Sequence, residues 1–336
     1  MSAIVTRLFE KFSLLAERSE AFVKFDSTVP TVGILGAGRT RQGLGPFLAN
    51  WFEKSGARIT GVAGRDDTRT RNAAVEISKQ LGHDVSAYDN AVELAKTVDA
   101  LVVACPVEGH LAGLDAALSA GVACLCEKPF VQAADAALGL QRVEAFRQAG
   151  LLLAENCQWP YALQALDALH PGLREQPVRS LTMRLSPAHP GRVMIEDSLS
   201  HVLSLLQAVV PLPADAALRS VVQSNPAPDA SANVVRFEVV GGTGNVAVAL
   251  HLQCCPQQPR PAWFAVNGAR VDRQLGENYA ISFASEDGRS VNVQDPLHLL
   301  VYDFLANLRA NQRERTNALD RIALRIRLYA GVLAKL

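Results

Sequence analysis

The sequence lacks the features that direct a protein to nucleic acid, to a membrane or to a structural metal. Among its 336 residues, Lys plus Arg and Asp plus Glu both number 33, so no net charge attracts a polyanion. No apolar run approaches the ~20 residues that cross a bilayer. Its six cysteines form no CxxC and no zinc-like pairing with histidine. We therefore expect no metal site, no nucleic-acid or membrane partner, and a reducing cytoplasm as the location.

Residues 1–30 predict an amphipathic helical extension. Apolar residues recur at roughly helical spacing over 4–24, with charged residues between them. Charges such as Arg7, Glu10 and Lys11 interrupt any apolar core, which argues against a signal peptide. The apolar stripe packs either on its own domain or on a second copy of the chain, and the pattern leaves both open.

Residues 31–155 predict a Rossmann-type domain, a doubly wound parallel sheet with helices on both faces. Short apolar segments that suit buried strands alternate with helical patterns of mostly ten to fifteen residues. This alternation is typical of βαβ units with right-handed crossovers. In such a sheet, ligands bind at the carboxyl ends of the strands. The predicted strands cover 31–35, 57–63, 85–87, 99–104, 122–126 and 151–154.

Residues 156–336 predict a second α/β domain, for substrate binding and oligomerisation, with a predominantly antiparallel open sheet. Glycine-rich turns separate or bound strand-like segments, as hairpins require. Both alternating sets of residues over 234–252 are rich in apolar side chains, so one face would seek a partner. We expect at least a homodimer through this sheet. The predicted strands cover 180–185, 234–240, 245–253, 262–266, 278–284 and 290–293, and the helices 159–169, 195–209, 295–308 and 316–333.

The loop after the first strand is a candidate phosphate site. Gly36 and Gly38 follow a strand and precede a helix, as a dinucleotide fingerprint requires. Arg41 stands where a strict GxGxxG motif has its third glycine, so the loop departs from that pattern. Arg39, Thr40 and Arg41 either add to the phosphate site or form a solvated loop.

The end of the second strand bears on the choice between NAD and NADP. An acidic residue there binds the ribose 2′-hydroxyl of NAD, whereas a basic residue accommodates a 2′-phosphate. Gly64 occupies the acidic position and Arg65 follows it, which favours NADP as cofactor. Asp66 keeps NAD possible.

Two further motifs carry groups suited to proton transfer. The apolar run Val122-Ala-Cys-Leu-Cys ends abruptly in Glu127-Lys128-Pro129, which delivers two charged side chains to the carboxyl end of a strand. Asp197 and His201, at i and i+4 on a predicted helix, share one face. Histidine exchanges protons near neutrality, so an adjacent carboxylate could orient and support it.

These motifs resemble those of the Gfo/Idh/MocA family of NAD(P)-dependent oxidoreductases. The match lies in the order and spacing of four motifs, namely Gly33–Gly38, Ala104-Cys105-Pro106 with His110 four residues on, Glu127-Lys128-Pro129 and Asp197-x-x-x-His201. The resemblance implies that Lys128, Asp197 and His201 are catalytic, facing the nicotinamide and the substrate. It implies that Glu127 contacts the cofactor ribose, and that Cys105, Pro106 and His110 also belong to the cofactor site. Lys128 would hold the substrate oxygen against developing negative charge.

The segment that follows the sixth strand resembles the family's entry into the substrate domain. Four of its residues could reach the substrate, although core packing is the favoured interpretation of the two aromatic rings. These residues are Asn156, Gln158, Trp159 and Tyr161.

The motifs therefore predict an NADP-preferring oxidoreductase, with NAD possible, that acts on a small sugar- or polyol-like molecule or on an imine. The alternative is a non-catalytic dinucleotide-sensing or ligand-binding regulator on the same fold. Residues 187–194 leave room for that alternative, because they replace the glycine-rich run that usually precedes the Asp–His helix of the family. The presence of Lys128, Asp197 and His201 argues against it, because a binding module needs no proton-transfer pair beside the nicotinamide.

Overall fold

The computed structural model describes residues 29–38, 43–241, 244–276, 280–308 and 312–336, with the side chains of 312–316 left out. The extension predicted for residues 1–30 lies almost wholly outside these ranges. Within them, no helix is long and apolar enough to cross a membrane. The chain forms two sheets, which share helices from the end of the sequence.

The first sheet is parallel and confirms the Rossmann-type prediction. Its strand order is β3-β2-β1-β4-β5-β6, so the chain turns outward in opposite directions from β1 and β4. Every residue of β4 and β5 is buried, which explains their continuous apolar sequences. The strands are β1 (Thr31–Leu35), β2 (Arg58–Ala63), β3 (Ser86–Tyr88), β4 (Ala100–Val103), β5 (Ala123–Cys126) and β6 (Leu153–Glu155).

Five helices connect these strands and cover both faces of the sheet. Leu48, Phe52 and Ile77 pack on one face, and Leu114 and Phe146 pack on the other. Several helices end at a glycine in the left-handed conformation, which satisfies their last carbonyl groups. The helices are α1 (Gly45–Lys54), α2 (Asp67–Leu81), α3 (Ala91–Ala95), α4 (His110–Ala120) and α5 (Ala136–Ala149).

The second sheet has eight strands in the order β14-β13-β12-β11-β7-β10-β9-β8, and the β7–β10 pair is its one parallel pairing among the described strands. This confirms a predominantly antiparallel sheet. The sequence analysis missed β8 and β12, which have few buried apolar residues. The strands are β7 (Ser180–Leu185), β8 (Ala217–Gln223), β9 (Ala232–Gly241), β10 (Gly244–Gln253), β11 (Ala262–Val266), β12 (Ala269–Leu275), β13 (Ile281–Ser285) and β14 (Ser290–Asn292).

Two helices pack on the inner face of the second sheet, α6 (Leu163–Leu169) and α7 (Arg192–Val209). A row of buried residues on α7, including Leu199, Val202 and Leu206, contacts the apolar side of the strands. The loop before α7 ends at Gly191, which has a φ of 75° and no room for a Cβ beside the Pro228 carbonyl. The loop therefore lies directly against the segment between β8 and β9.

The last two helices return to the first sheet. Helix α8 (Pro296–Asn307) packs beside α1, and Phe304 contacts Phe52 edge to face at 6.0 Å. Helix α9 (Gln312–Leu333) contributes Ile322 to the core of the first sheet and Leu328 to the core of the second. A division after residue 155 separates the strands of the two sheets. It does not separate their cores, because α8 and α9 complete both apolar layers of the first sheet. The domain boundary therefore remains a proposal.

Candidate active site

The loop after β1 has the close backbone approach that a pyrophosphate site requires. Gly36 has a φ of 93°, and its N–H donates to the carbonyl of Ala63 at 2.8 Å. A Cβ at Gly36 would collide with the backbone of Cys105, so glycine alone fits there. Gly38 is partly exposed at the same edge, while Arg39, Thr40 and Arg41 lie outside the described residues. This strand order and cradle fit a dinucleotide.

The end of β2 presents an exposed cation, Arg65, and an acid, Asp66, that already has a structural role. Asp66 caps α2, and its Oδ1 accepts from the Arg69 N–H at 2.8 Å. Arg65 is exposed, beside the partly exposed Gly64. Burial raises the pKa of the Cys105 thiol to about 11, and the charges of Glu108 and Arg65 act on it more weakly. The charge of Arg65 thus acts on Cys105, in the loop after β4.

His110 lies between the loop after β4 and the loop after β5, at the carboxyl edge of the first sheet. Its buried ring lies with Nδ1 3.0 Å from the Pro129 carbonyl oxygen and Nε2 2.9 Å from that of Cys105. Burial lowers the pKa of His110. Pro106, by contrast, is exposed at the start of a short 3₁₀ turn. His110 therefore positions the loops that carry Cys105 and Pro129.

Glu127 lies between β4 and the segment after β6. Its N–H donates to the Val103 carbonyl at 2.8 Å, and its carboxylate accepts from the side-chain amide of Asn156. Burial raises the pKa of Glu127 to about 7, although the charge of Lys128 and the Asn156 bond oppose that shift. The peptide bond between Lys128 and Pro129 is cis. Glu127 is thus held at the carboxyl edge of the sheet.

Lys128 connects the first domain to α7. Its Nζ donates to the backbone carbonyl of Asp197 at 2.9 Å. The expected pairing between the Asp197 carboxylate and His201 is wrong. Asp197 is exposed, and the buried Nδ1 of His201 has no hydrogen-bond partner within the described ranges. The i,i+4 spacing places Asp197 and His201 on the same face of α7, as predicted. The His201 ring, however, packs edge to face on the Trp159 ring, with 6.4 Å between the ring centroids.

The imidazole of His201 is neutral at ordinary pH. Burial lowers its pKa well below the usual 6.5, and the charges of Lys128 and Arg273 lower it further. A neutral imidazole with an unpaired nitrogen can take a proton from a hydroxyl group placed beside it. His201 therefore has the protonation state that a general base needs.

The residues after β6 have separate roles. Asn156 is bonded to Glu127, and Gln158 is partly exposed. Trp159 is buried between His201 and Phe264, whose ring centroid is 6.2 Å from its own. Tyr161 donates from its hydroxyl to Asp303 of α8 at 2.9 Å. Both aromatic rings thus pack between elements, as the sequence analysis favoured.

The first domain matches a family model. Residues 31–156 fit the model described as an oxidoreductase family with an NAD-binding Rossmann fold. The matched segment carries the Gly36 cradle and the Glu127-Lys128-Pro129 turn together. Residues 31–156 therefore match the Gfo/Idh/MocA family model.

Curated relatives match about a third of the chain. A UDP-N-acetylglucosamine 3-dehydrogenase of Acidithiobacillus ferrooxidans is 34% identical over 111 residues, which cover 32% of this chain and 32% of that protein. An inositol 2-dehydrogenase/D-chiro-inositol 3-dehydrogenase of Shouchella clausii is 34% identical over 113 residues, which cover 34% of this chain and 32% of the relative. The matches span about a third of the length of these relatives.

The whole chain resembles solved structures in fold. A structure of the Acidithiobacillus ferrooxidans UDP-N-acetylglucosamine 3-dehydrogenase superposes with a TM-score of 0.63 at 20% identity. The superposition covers 91% of this chain and all of that one. The fold is therefore shared along nearly the full length of both chains.

Sequence reasoning missed two residues beside the Gfo/Idh/MocA domain, Arg273 and Arg325. Arg273 lies on β12, a strand that the apolar pattern did not reveal, with its guanidinium carbon 5.4 Å from the centroid of the Trp159 ring. Arg325 of α9 donates to Glu155 at 2.7 Å. No local pattern could pair residues so far apart in the sequence. Among the described residues, no cluster of His, Cys, Asp and Glu could hold a metal ion.

Proposed function

We propose that the protein is an NADP-preferring oxidoreductase that acts on a small sugar- or polyol-like substrate. A hydride would pass between the nicotinamide and a carbonyl or carbinol carbon. The observation that carries the proposal is the placement of Lys128 against α7, one helical turn from the neutral His201, at the carboxyl edge of a dinucleotide-binding sheet. The family of residues 31–156 supports the same chemistry.

Three side chains have roles in this proposal. The ammonium group of Lys128 binds the substrate oxygen and opposes negative charge that develops on it. The imidazole of His201 takes the proton of that oxygen during oxidation and returns it during reduction. Asp197 holds Lys128 through its backbone carbonyl, and its exposed carboxylate is free to contact substrate. When bound, the nicotinamide supplies the hydride acceptor or donor.

The preference for NADP rests on Arg65. Asp66 is occupied as a helix cap, whereas Arg65 is exposed and available to a 2′-phosphate. Turnover of a panel of sugars, polyols, keto acids and cyclic imines is followed by the absorbance of the reduced cofactor. We expect NADP(H) to support turnover at lower cofactor concentrations than NAD(H). Arg65→Asp should reverse this preference by roughly tenfold or more, because a charge-assisted bond of about 1.5–3 kcal/mol is replaced by repulsion. Arg71→Asp, an exposed change on α2, should leave it unaltered.

A non-catalytic dinucleotide sensor is the alternative. The absence of a bond between the Asp197 carboxylate and His201 in the described structure leaves room for it. A sensor would bind NADPH but turn over no member of the substrate panel. Turnover that disappears in His201→Ala while NADPH binding persists supports the enzyme. Imine reduction is tested by the same panel, because it would use the same placement of the cofactor.

We also propose a homodimer through the outer face of the second sheet. The inward residues of β9 and β10 are buried, whereas the outward set is at least partly exposed and includes Val234, Ala247 and Ala249. These small or apolar side chains, which alternate along the strands with the buried set, lie on a face that a second copy could cover. Light scattering at micromolar concentration should give about twice the chain mass of 36.1 kDa. A mass equal to one chain contradicts the proposal.

A further inference from the structure

Arg273 is a cation on the apolar face of the second sheet. Residues of one strand alternate between faces, so Arg273 shares the inner face with the fully buried Val271. Its cross-strand neighbours are Ala262 on β11 and Phe283 on β13, and both are buried. A guanidinium group in this position gains little from packing alone, since its charge loses water.

The protein compensates this charge incompletely. One Nη2 bond goes to the Arg260 carbonyl at 3.0 Å, while the buried Nε has no partner within the described ranges. Burial lowers the pKa of Arg273, as expected for a cation without a nearby acid. In contrast, Arg270 on the outer face pairs with Asp272, and Arg325 pairs with Glu155. No carboxylate of the described residues forms an ion pair with Arg273.

Arg273 faces the same site as Lys128 and His201. The Trp159 ring contacts both Arg273, at 5.4 Å from the guanidinium carbon, and the ring of His201, at 6.4 Å between centroids. The charges of Lys128 and Arg273 both act on His201. A substrate beside His201 would therefore meet two cations, of which Lys128 alone is needed for the reacting oxygen.

We propose that Arg273 binds a carboxylate group of the substrate, which makes the substrate a sugar acid such as a uronate or an aldonate. The proposal rests on the oxidoreductase function proposed above. A planar carboxylate matches one guanidinium edge with two parallel hydrogen bonds. Because Arg273 is a single arginine with one donor already committed to Arg260, a carboxylate monoanion fits it better than a phosphate ester, which binds more donors.

The test compares sugars that differ only in the acid group. Calorimetry in saturating NADPH, which prevents oxidation, measures Kd for D-glucuronate against D-glucose, D-galacturonate against D-galactose, and D-gluconate against D-glucitol. We expect at least one acid to bind wild-type protein tenfold or more tightly than its neutral counterpart. Arg273→Gln should abolish that preference and change the neutral Kd less than about threefold. Arg273→Lys should retain part of it, because the charge remains.

Controls separate this inference from folding and from the oxidoreductase proposal. Arg289→Gln removes an exposed arginine of the turn between β13 and β14 and should keep the acid preference. Thermal unfolding checks that Arg273→Gln remains folded. A wild type without acid preference, an equal preference in Arg273→Gln, or tighter binding of D-glucose 6-phosphate overturns the carboxylate assignment. Loss of acid preference in Arg273→Gln, with no turnover of the acids or of any member of the substrate panel by wild type, supports the assignment and refutes the enzyme.

Discussion

Replacing Lys128 with methionine should lower kcat/KM for the best substrate by about 10²–10³-fold, the usual loss when a charge-stabilising donor is removed. The ammonium group is the cation that lies at the carboxyl edge of β5 and contacts α7, through the Asp197 carbonyl at 2.9 Å. Methionine keeps the length of the side chain but supplies neither charge nor donor. Steady-state kinetics measure the change, and NADPH fluorescence should show cofactor affinity altered by less than about threefold.

A matched lysine provides the control for this substitution. Lys96 lies on the exposed surface of the first domain, where it pairs with Glu93 at 2.8 Å. Lys96→Met should leave kcat/KM unchanged, because an exposed pair of this kind contributes only tenths of a kcal/mol. If Lys128→Met retains more than a third of wild-type kcat/KM, Lys128 has no direct part in the reaction.

Replacing Arg325 with methionine should lower the free energy of unfolding by about 3–5 kcal/mol. The Nε of Arg325 lies 2.7 Å from Oε2 of Glu155, and the two side chains are only 10% and 1% exposed. The pair joins α9 to the end of β6, close to Asn156 and Glu127. Without the guanidinium group, the buried Glu155 carboxylate loses its ion-pair partner among the described residues. The free energy that it lost on leaving water is then not offset by an opposite charge. Urea unfolding followed by circular dichroism measures the change.

Two further variants test whether the effect comes from an uncompensated charge. The double substitution Glu155→Leu with Arg325→Met removes both charges, and it should recover most of the lost stability. Arg147→Met breaks an exposed pair with Asp320, which joins α5 to α9, and should cost about 1 kcal/mol or less. An Arg325→Met variant as stable as Arg147→Met would show that the buried pair contributes little.

The first sheet could be predicted because its central strands β4 and β5 are buried on both faces. The strand expected at 122–126 is observed as Ala123–Cys126, and a strand buried on both faces gives an uninterrupted apolar run. In the second sheet, β7 and β11 were predicted with their observed bounds. Strand β12 was missed, since Arg270, Asp272 and Arg273 occupy both faces and hide the period of two.

The candidate site was only partly predictable for a related reason. Local spacing placed Asp197 and His201 on one face of α7, and motif order placed Lys128 nearby. The bond that Lys128 makes to a backbone carbonyl has no signature in side-chain identity, so the expected carboxylate–imidazole pair was wrong. The Glu155–Arg325 pair joins residues 170 positions apart and leaves no periodic trace. Long-range polar contacts of this kind become visible only in three dimensions.

The return of α8 and α9 to the first sheet has a consequence for synthesis on the ribosome. Leu300 completes one apolar layer of the nucleotide domain, and Ile322 completes the other. A nascent chain that has emerged only as far as residue 156 therefore has all six parallel strands but leaves parts of both layers bare. Such surfaces are aggregation-prone until covered. Both apolar layers of the first sheet are completed only after Leu300 of α8 and Ile322 of α9 have been synthesised.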